Sequence, residues 1–350
     1  LSGLVGSEMC IRDSHYTICP VGNASYLAAS RGKLTESLKK LEVTPVLLQS
    51  LPQPFWKAHF DYQDPLLFRE GGNIPPVWAK SNGADVVLIG LALLKQRQYI
   101  LVRADSPIDS VEQLRGYRIG IPVHPAALID FHKATAEHGF ALALAARGVS
   151  LKEANFVPIH ADGDFVSVPR WARSQSEPEE VQALNNGEVD AIYVKSSKAQ
   201  KLLDTGKYRV LFDIAENPSQ LSPINNEYPN ALTVSRYLAE EFPEVVIAYV
   251  KELLLAAQWA KANREEALTL LAEQTFGTVG QAVSSHYRDF YRTLAPNLSE
   301  ESLQALEAQK RFLFDGGYLK KDFDLAKWAD DRFLKAAQAE IDSEQKEREA

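Results

Sequence analysis

Apolar positions in this chain fall into short runs separated by stretches of helical periodicity, the pattern of α/β layers rather than of a sandwich or a bundle. Residues 46–48, 86–90 and 99–103 are apolar runs of strand length and predict buried strands. Between 105 and 116 the chain reads as a short capped helix, opened by Asp105-Ser106-Pro107 and closed by Gly116, running straight into a strand over 118–122. A second unit repeats the logic: a helix over 178–185, the turn Asn186-Gly187, a strand over 189–193 and a helix reaching 203. The stretch 217–229, rich in proline and asparagine, predicts an irregular connection. Helical periodicity then dominates over 234–240, 243–263, 264–275, 279–293 and 299–314, and residues 330–350 read as a charged helix or a frayed tail.

Composition narrows the function classes. The chain has 350 residues, 45% hydrophobic and 24% charged, enough for two lobes with ordinary cores. A formal charge of −8 argues against a nucleic-acid or acidic-membrane partner, because such partners select basic surfaces. The longest apolar runs, 84–94 and 245–257, fall short of the roughly 18 to 20 residues that span a bilayer. An anionic ligand would therefore need a local site.

The first fourteen residues follow no periodic pattern, and the string Gly6-Ser7-Glu8-Met9-Cys10-Ile11-Arg12-Asp13 resembles translated adapter read-through; segment 1–14 is set aside as non-native. Of the two cysteines, Cys10 lies in that segment, which leaves Cys19 as the native thiol. A disulfide framework is then excluded, and a reducing, cytoplasmic setting is expected. The residues before Cys19, Tyr16-Thr17-Ile18, are not the small-residue pattern of a lipoprotein cleavage site.

The candidate chemistry lies in Thr17-Ile18-Cys19-Pro20, Ala58-His59-Phe60-Asp61-Tyr62 and Arg69-Glu70-Gly71-Gly72-Asn73. A thiol, an imidazole and a guanidinium beside two glycines are the parts of an anion site with a reactive sulfur. Gly71 and Gly72 let backbone N–H groups approach an anion, or they form a plain turn before Pro75-Pro76. Arg69 clamps an oxyanion, or it pairs with Glu70 or Asp64. Phe55, Trp56, Phe60, Tyr62 and Phe68 are either an aryl pocket or simple core. The remaining histidines lack metal-ligand spacing, and no phosphate loop or dinucleotide fingerprint occurs, so neither metal nor cofactor is implied.

The order Asp105-Ser106-Pro107-Ile108, Arg115-Gly116-Tyr117-Arg118-Ile119-Gly120 and Asn186-Gly187-Glu188-Val189-Asp190-Ala191 resembles binding proteins for sulfonates, nitrate and related anions. Within that superfamily, Cys19-Pro20 with Asn23-Ala24, His59-Phe60 with Tyr62, Arg69 with Gly71-Gly72 and Ile74-Pro75-Pro76, Val102-Arg103 and Lys327-Trp328-Ala329 are similar to the aromatic desulfinases of dibenzothiophene desulfurisation. The resemblance covers nearly the whole chain after residue 14. It implies a two-lobed periplasmic-binding-protein-like (type II) α/β fold, each lobe a mixed sheet flanked by helices, with lobe I at 15–103 plus 229–350, lobe II at 104–228 and a cleft between them.

It also implies a monomeric, cofactor-independent C–S hydrolase acting on a hydroxybiphenyl sulfinate to release sulfite, with Cys19, His59 and Arg69 catalytic and Gly71, Gly72, Phe60 and Tyr62 binding substrate. Cys19 is either a proton donor to the ring carbon or a nucleophile on sulfur. Two departures stand out: Glu70 replaces an aromatic, and residues 123–177 align poorly. A transport receptor for sulfonate, taurine or nitrate is the competing reading, because fold alone does not decide function.

Overall fold

A computed structural model describes residues 13–161, 177–217, 219, 221, 223–287 and 289–349. Residues 1–12 and the stretch 162–176 within the poorly aligned region lie outside them. The chain begins with β1 (Asp13–Ile18), α1 (Ala24–Ser30), α2 (Lys33–Lys39), β2 (Thr44–Leu47), α3 (Ala58–Asp61), β3 (Leu67–Gly71), α4 (Ile74–Ser81) and β4 (Val86–Ala92). It continues through β5 (Gln98–Arg103), β6 (Arg118–Val123), α5 (Phe131–Ala145), β7 (Asn155–His160), α6 (Glu179–Asn185), β8 (Ala191–Lys195), α7 (Ser196–Leu203) and β9 (Tyr208–Asp213). Last come β10 (Asn230–Ser235), α8 (Arg236–Glu241), α9 (Pro243–Ala262), α10 (Arg264–Gln274), α11 (Val279–Ser284), α12 (Glu300–Asp315), α13 (Leu325–Trp328) and α14 (Arg332–Glu349).

Among the described residues these strands form two five-stranded mixed sheets, ordered β2-β1-β3-β10-β4 and β7-β6-β8-β5-β9. Each sheet carries one lobe, so the chain crosses between lobes after β4 and again before β10. The lobe boundary expected at 103/104 needs correction. Strand β5 pairs antiparallel with both β8 and β9, so residues 98–103 belong to the second sheet and the first crossing falls at 93–97. The apolar run 99–103 reads identically in either sheet; only its partners decide where it goes. Strand β1 also starts two residues inside the segment set aside as non-native, with Asp13 opposite Thr44 of β2.

Other differences have local causes. The helix expected over 105–116 is a 3₁₀ turn confined to Val111–Gly116. The helix expected over 279–293 stops at Ser284, and a separate 3₁₀ turn follows at Phe290–Arg292 after Asp289 adopts a left-handed φ of 59°.

In the first sheet, strand alternation sends Phe68, Val87, Ile89, Leu232 and Val234 to one face, under α1 and α9, and Leu67, Leu88 and Ala231 to the other, against Leu306, Leu313 and Trp328. Helix α9 is a core element: Val246, Tyr249, Val250 and Leu253 are fully buried, and Tyr249 stacks on Phe68 with centroids 4.1 Å apart. No helix among the described residues is long and apolar enough to cross a membrane. The lobes meet through α5, whose His138 Nδ1 lies 3.0 Å from Gln309 Oε1 of α12 and whose Glu137 carboxylate accepts from the Tyr318 hydroxyl.

Candidate active site

Register brings the polar residues of β1 and β3 together. Thr17 lies opposite Arg69 in the parallel β1–β3 pair, and Thr233 of β10 lies opposite Arg69 on the other side. Because strand side chains alternate, all three point to one face, and the next positions on that face toward the strand ends are Cys19 and Gly71. Helix α3 lays His59 across this row. Its Nε2 is 3.4 Å from Cys19 Sγ and its Nδ1 is 2.8 Å from Thr17 Oγ1.

Arg69 is 1% exposed and held by backbone: Nε donates to the His59 carbonyl at 2.9 Å and Nη1 to the Gly72 carbonyl at 2.8 Å. That grip turns Nη2 toward the reactive pair, 3.7 Å from Cys19 Sγ and 3.5 Å from His59 Nε2. Neither acid considered as its partner takes it. Asp64 Oδ2 lies 2.7 Å from His15 Nδ1, and the Glu70 carboxylate accepts from Ser25 N at 2.7 Å, on the opposite face of the sheet. There Glu70 meets the first turn of α1, and burial raises its carboxyl to about 7 despite hydrogen bonds from Ser25 and Ala24. Glu70 thus lies beneath the site, not in it.

The donor inventory fixes the His59 tautomer. A guanidinium can only donate, so Nη2 at 3.5 Å favours a lone pair on Nε2 and the proton on Nδ1. Nδ1–H then donates to Thr17 Oγ1, which also accepts from Gln49 Nε2 at 2.9 Å. The Cys19 S–H is left to donate to Nε2.

The two glycines have a use that the sequence expectations did not name. Gly71 ends β3 and neither Gly71 nor Gly72 has a positive φ, so they form no glycine-requiring turn. What they supply is space. A Cβ on Gly71 would lie 2.7 Å from Cys19 Cβ and nearer still to Sγ, and one on Gly72 would lie 2.6 Å from Asn226 Oδ1. Asn226 in turn accepts from Asn73 N at 2.6 Å and, through Oδ1, from Ile74 N at 3.0 Å, tying the return crossing to the start of α4.

Phe60 packs edge-on against His59 at 4.8 Å and stacks with Phe131 of the second lobe at 6.1 Å, so an aromatic wall spans the two lobes beside the thiol. Tyr62, expected to bind substrate, is 8% exposed and stands behind Arg69: its hydroxyl lies 3.0 Å from Thr233 Oγ1, which donates to the Arg69 carbonyl. Among the other aromatics, Phe68 is core and Phe55 is exposed. Sequence reasoning missed Thr17, Gln49, Phe131 and Asn226, and also Gln274, whose Nε2 donates to the Cys19 carbonyl at 2.9 Å beside Asn23 Nδ2 at 3.1 Å. Thr17 stands inside the cysteine motif, where its own role went unread; the others are hundreds of residues away or carry no motif.

Two mixed α/β lobes joined by two crossings, with polar side chains gathered at strand ends between them, define a two-lobed α/β fold. Residues 74–165 match the family described as NMT1/THI5 like. The chain is 29% identical, over 94% of its length and 95% of the relative's, to the 2'-hydroxybiphenyl-2-sulfinate desulfinase of Rhodococcus erythropolis, which bears out the resemblance seen in the sequence. Its fold matches that of a cysteine-to-serine variant of the enzyme DszB in complex with biphenyl-2-sulfinic acid (TM-score 0.73, 24% identity, 94% of this chain and 100% of that one). It also matches the periplasmic aliphatic sulphonate binding protein SsuA from Escherichia coli (TM-score 0.61, 18% identity, 91% and 92%).

Proposed function

We propose that this chain is a desulfinase that cleaves the C–S bond of an aryl sulfinate of the 2'-hydroxybiphenyl-2-sulfinate type, yielding the arene and sulfite. The observation that carries the reading is the thiol of Cys19 held 3.4 Å from His59 Nε2 and 3.7 Å from the Nη2 of a buried arginine. Near full-length similarity to a named desulfinase supports it. A receptor that only bound and released an anion would gain nothing from a thiol in that position.

In this mechanism Arg69 takes a sulfinate oxygen, which aligns the ring carbon bearing sulfur with Cys19. The thiol gives its proton to that carbon, the C–S electron pair stays with the carbon, and sulfur dioxide departs. Arg69, whose Nη2 already faces the sulfur, stabilises the thiolate left behind. Water hydrates the sulfur dioxide to bisulfite and releases a proton that restores the thiol. One sulfinate and one water thus give one arene and one bisulfite. The thiol, the substrate and water account for every proton and electron pair, so the reading is of a cofactor-independent hydrolase. Phe60 with Phe131 would face the aryl group, Tyr62 would brace Arg69, and Gly71 and Gly72 would keep room for Cys19 and Asn226. A cytoplasmic, monomeric enzyme completes the proposal.

The test is to incubate purified protein with 2-(2-hydroxyphenyl)benzenesulfinate and quantify sulfite and hydroxybiphenyl. Equal amounts of both, formed catalytically, are expected. Absence of turnover together with tight binding of an alkanesulfonate would overturn the proposal in favour of a transport receptor.

A further inference from the structure

Lys195 closes β8 on the second lobe, at the point where both crossings between the lobes meet. Its ammonium pairs with the carboxylate of Glu227, which belongs to the return crossing and is 5% exposed. Glu227 is held firmly: its N–H donates to Asn225 Oδ1 at 2.7 Å and its Oε1 accepts from Asn226 Nδ2 at 3.0 Å. Asn226 is the residue that fills the space left by Gly72, whose carbonyl holds Arg69. A continuous set of contacts therefore runs from a second-lobe cation to the first-lobe arginine.

The residue after Lys195 adds an independent sign. Ser196 takes a left-handed φ of 57°, an unfavourable conformation for a non-glycine residue, and it is fixed there by the other crossing. Its N–H donates to the Arg97 carbonyl at 3.2 Å and its hydroxyl to Gln96 Oε1 at 2.7 Å. Both crossings thus fix where the β8 end points Lys195.

We infer that Lys195 is a positioning residue of the candidate site: held by Glu227, its ammonium supplies the second lobe's positive charge to the anion that occupies the cleft beside Cys19. That this anion is a sulfinate rests on the desulfinase reading; the Lys195–Glu227 pair and its chain of contacts to Arg69 do not. The charged and titratable groups around Lys195 are Glu227, Lys198, His286 and Cys19. Those around Cys19 are Arg69, His59, Tyr62 and Lys195. Burial pulls Lys195 down to about 7, with the Cys19 side opposing that and Lys198 adding to it, so an arriving anion would draw a proton onto it.

The experiment measures iodoacetamide alkylation of Cys19 at about pH 6, where Lys195 is protonated, read on the Cys19 peptide by mass spectrometry so that Cys10 does not contribute. A nearby ammonium favours the thiolate, the species that reacts. Lys195→Met and Lys195→Gln should both slow Cys19 alkylation by roughly threefold or more, while Lys195→Arg should stay within about twofold of the parent. The glutamine variant keeps a polar stem and decides the matter if the methionine variant fails to fold. In sulfite release, the neutral variants should raise KM about tenfold with a smaller change in kcat, and arginine should restore it. Alkylation at the parent rate in the neutral variants, or equal slowing in Lys195→Arg, would overturn the inference. If the parent releases no sulfite the desulfinase reading fails, yet the alkylation series still decides the role of Lys195.

Discussion

Gly71→Ala separates two accounts of the site. If Gly71 served only to present a backbone N–H to an anion, alanine would keep that N–H and activity would survive. The structure puts the new Cβ 2.7 Å from Cys19 Cβ, where methyl contacts ordinarily sit at roughly 3.5–4.0 Å. About 1 Å of movement is therefore required. Cys19 cannot yield as a long side chain would, because its sulfur is one bond from the crowded carbon, and rotating it away breaks the 3.4 Å contact with His59. A misplacement of that size at a reacting group costs on the order of 100-fold in rate, about 2.7 kcal/mol of barrier. The overpacking itself should cost about 1–3 kcal/mol of stability, a fall of a few degrees in Tm. The assay is sulfite release alongside thermal melting. Turnover within about threefold of the parent would refute the reasoning.

Two further outcomes are expected. Thr17→Val removes the acceptor of His59 Nδ1 and Gln49 Nε2 without changing shape, and should cut turnover roughly 10-fold or more at nearly unchanged fold, from a loss of about 1–3 kcal/mol; parent-like kinetics would show that the tautomer does not matter. Glu70→Gln probes pH: a carboxyl raised from 4.5 to about 7 binds its proton more tightly folded than unfolded, so its contribution is complete below about 4.5 and is lost as pH rises toward 7. Thermal melts should show the parent losing on the order of 3 kcal/mol relative to the Gln variant between pH 4.5 and 7.5, and parallel pH curves would contradict this.

The α/β class was legible because β4, β5, β6 and β8 are continuous apolar runs that only a covered sheet accommodates. Strands β1 and β3 were not, and for one reason: Thr17, Arg69 and Glu70 put polar side chains on buried strands, where the hydrophobic pattern vanishes. The site interrupts the pattern that would have revealed its own scaffold. Its reactive members were visible as residue types close in sequence. Their supports were not, since Gln274 reaches Cys19 from 255 residues away and Lys195 meets Glu227 only through the crossing of the lobes. The glycines were noticed for their flexibility, whereas their use is the absence of a side chain, which depends on neighbours that the sequence does not place beside them.

The most direct test of a cysteine-dependent C–S cleavage compares the parent with Cys19→Ser for 2-(2-hydroxyphenyl)benzenesulfinate, following sulfite release and sulfinate binding on the same samples. The account predicts that the serine variant binds the sulfinate about as tightly as the parent, through Arg69, and releases no sulfite. Sulfite release by the serine variant at the parent rate would contradict it.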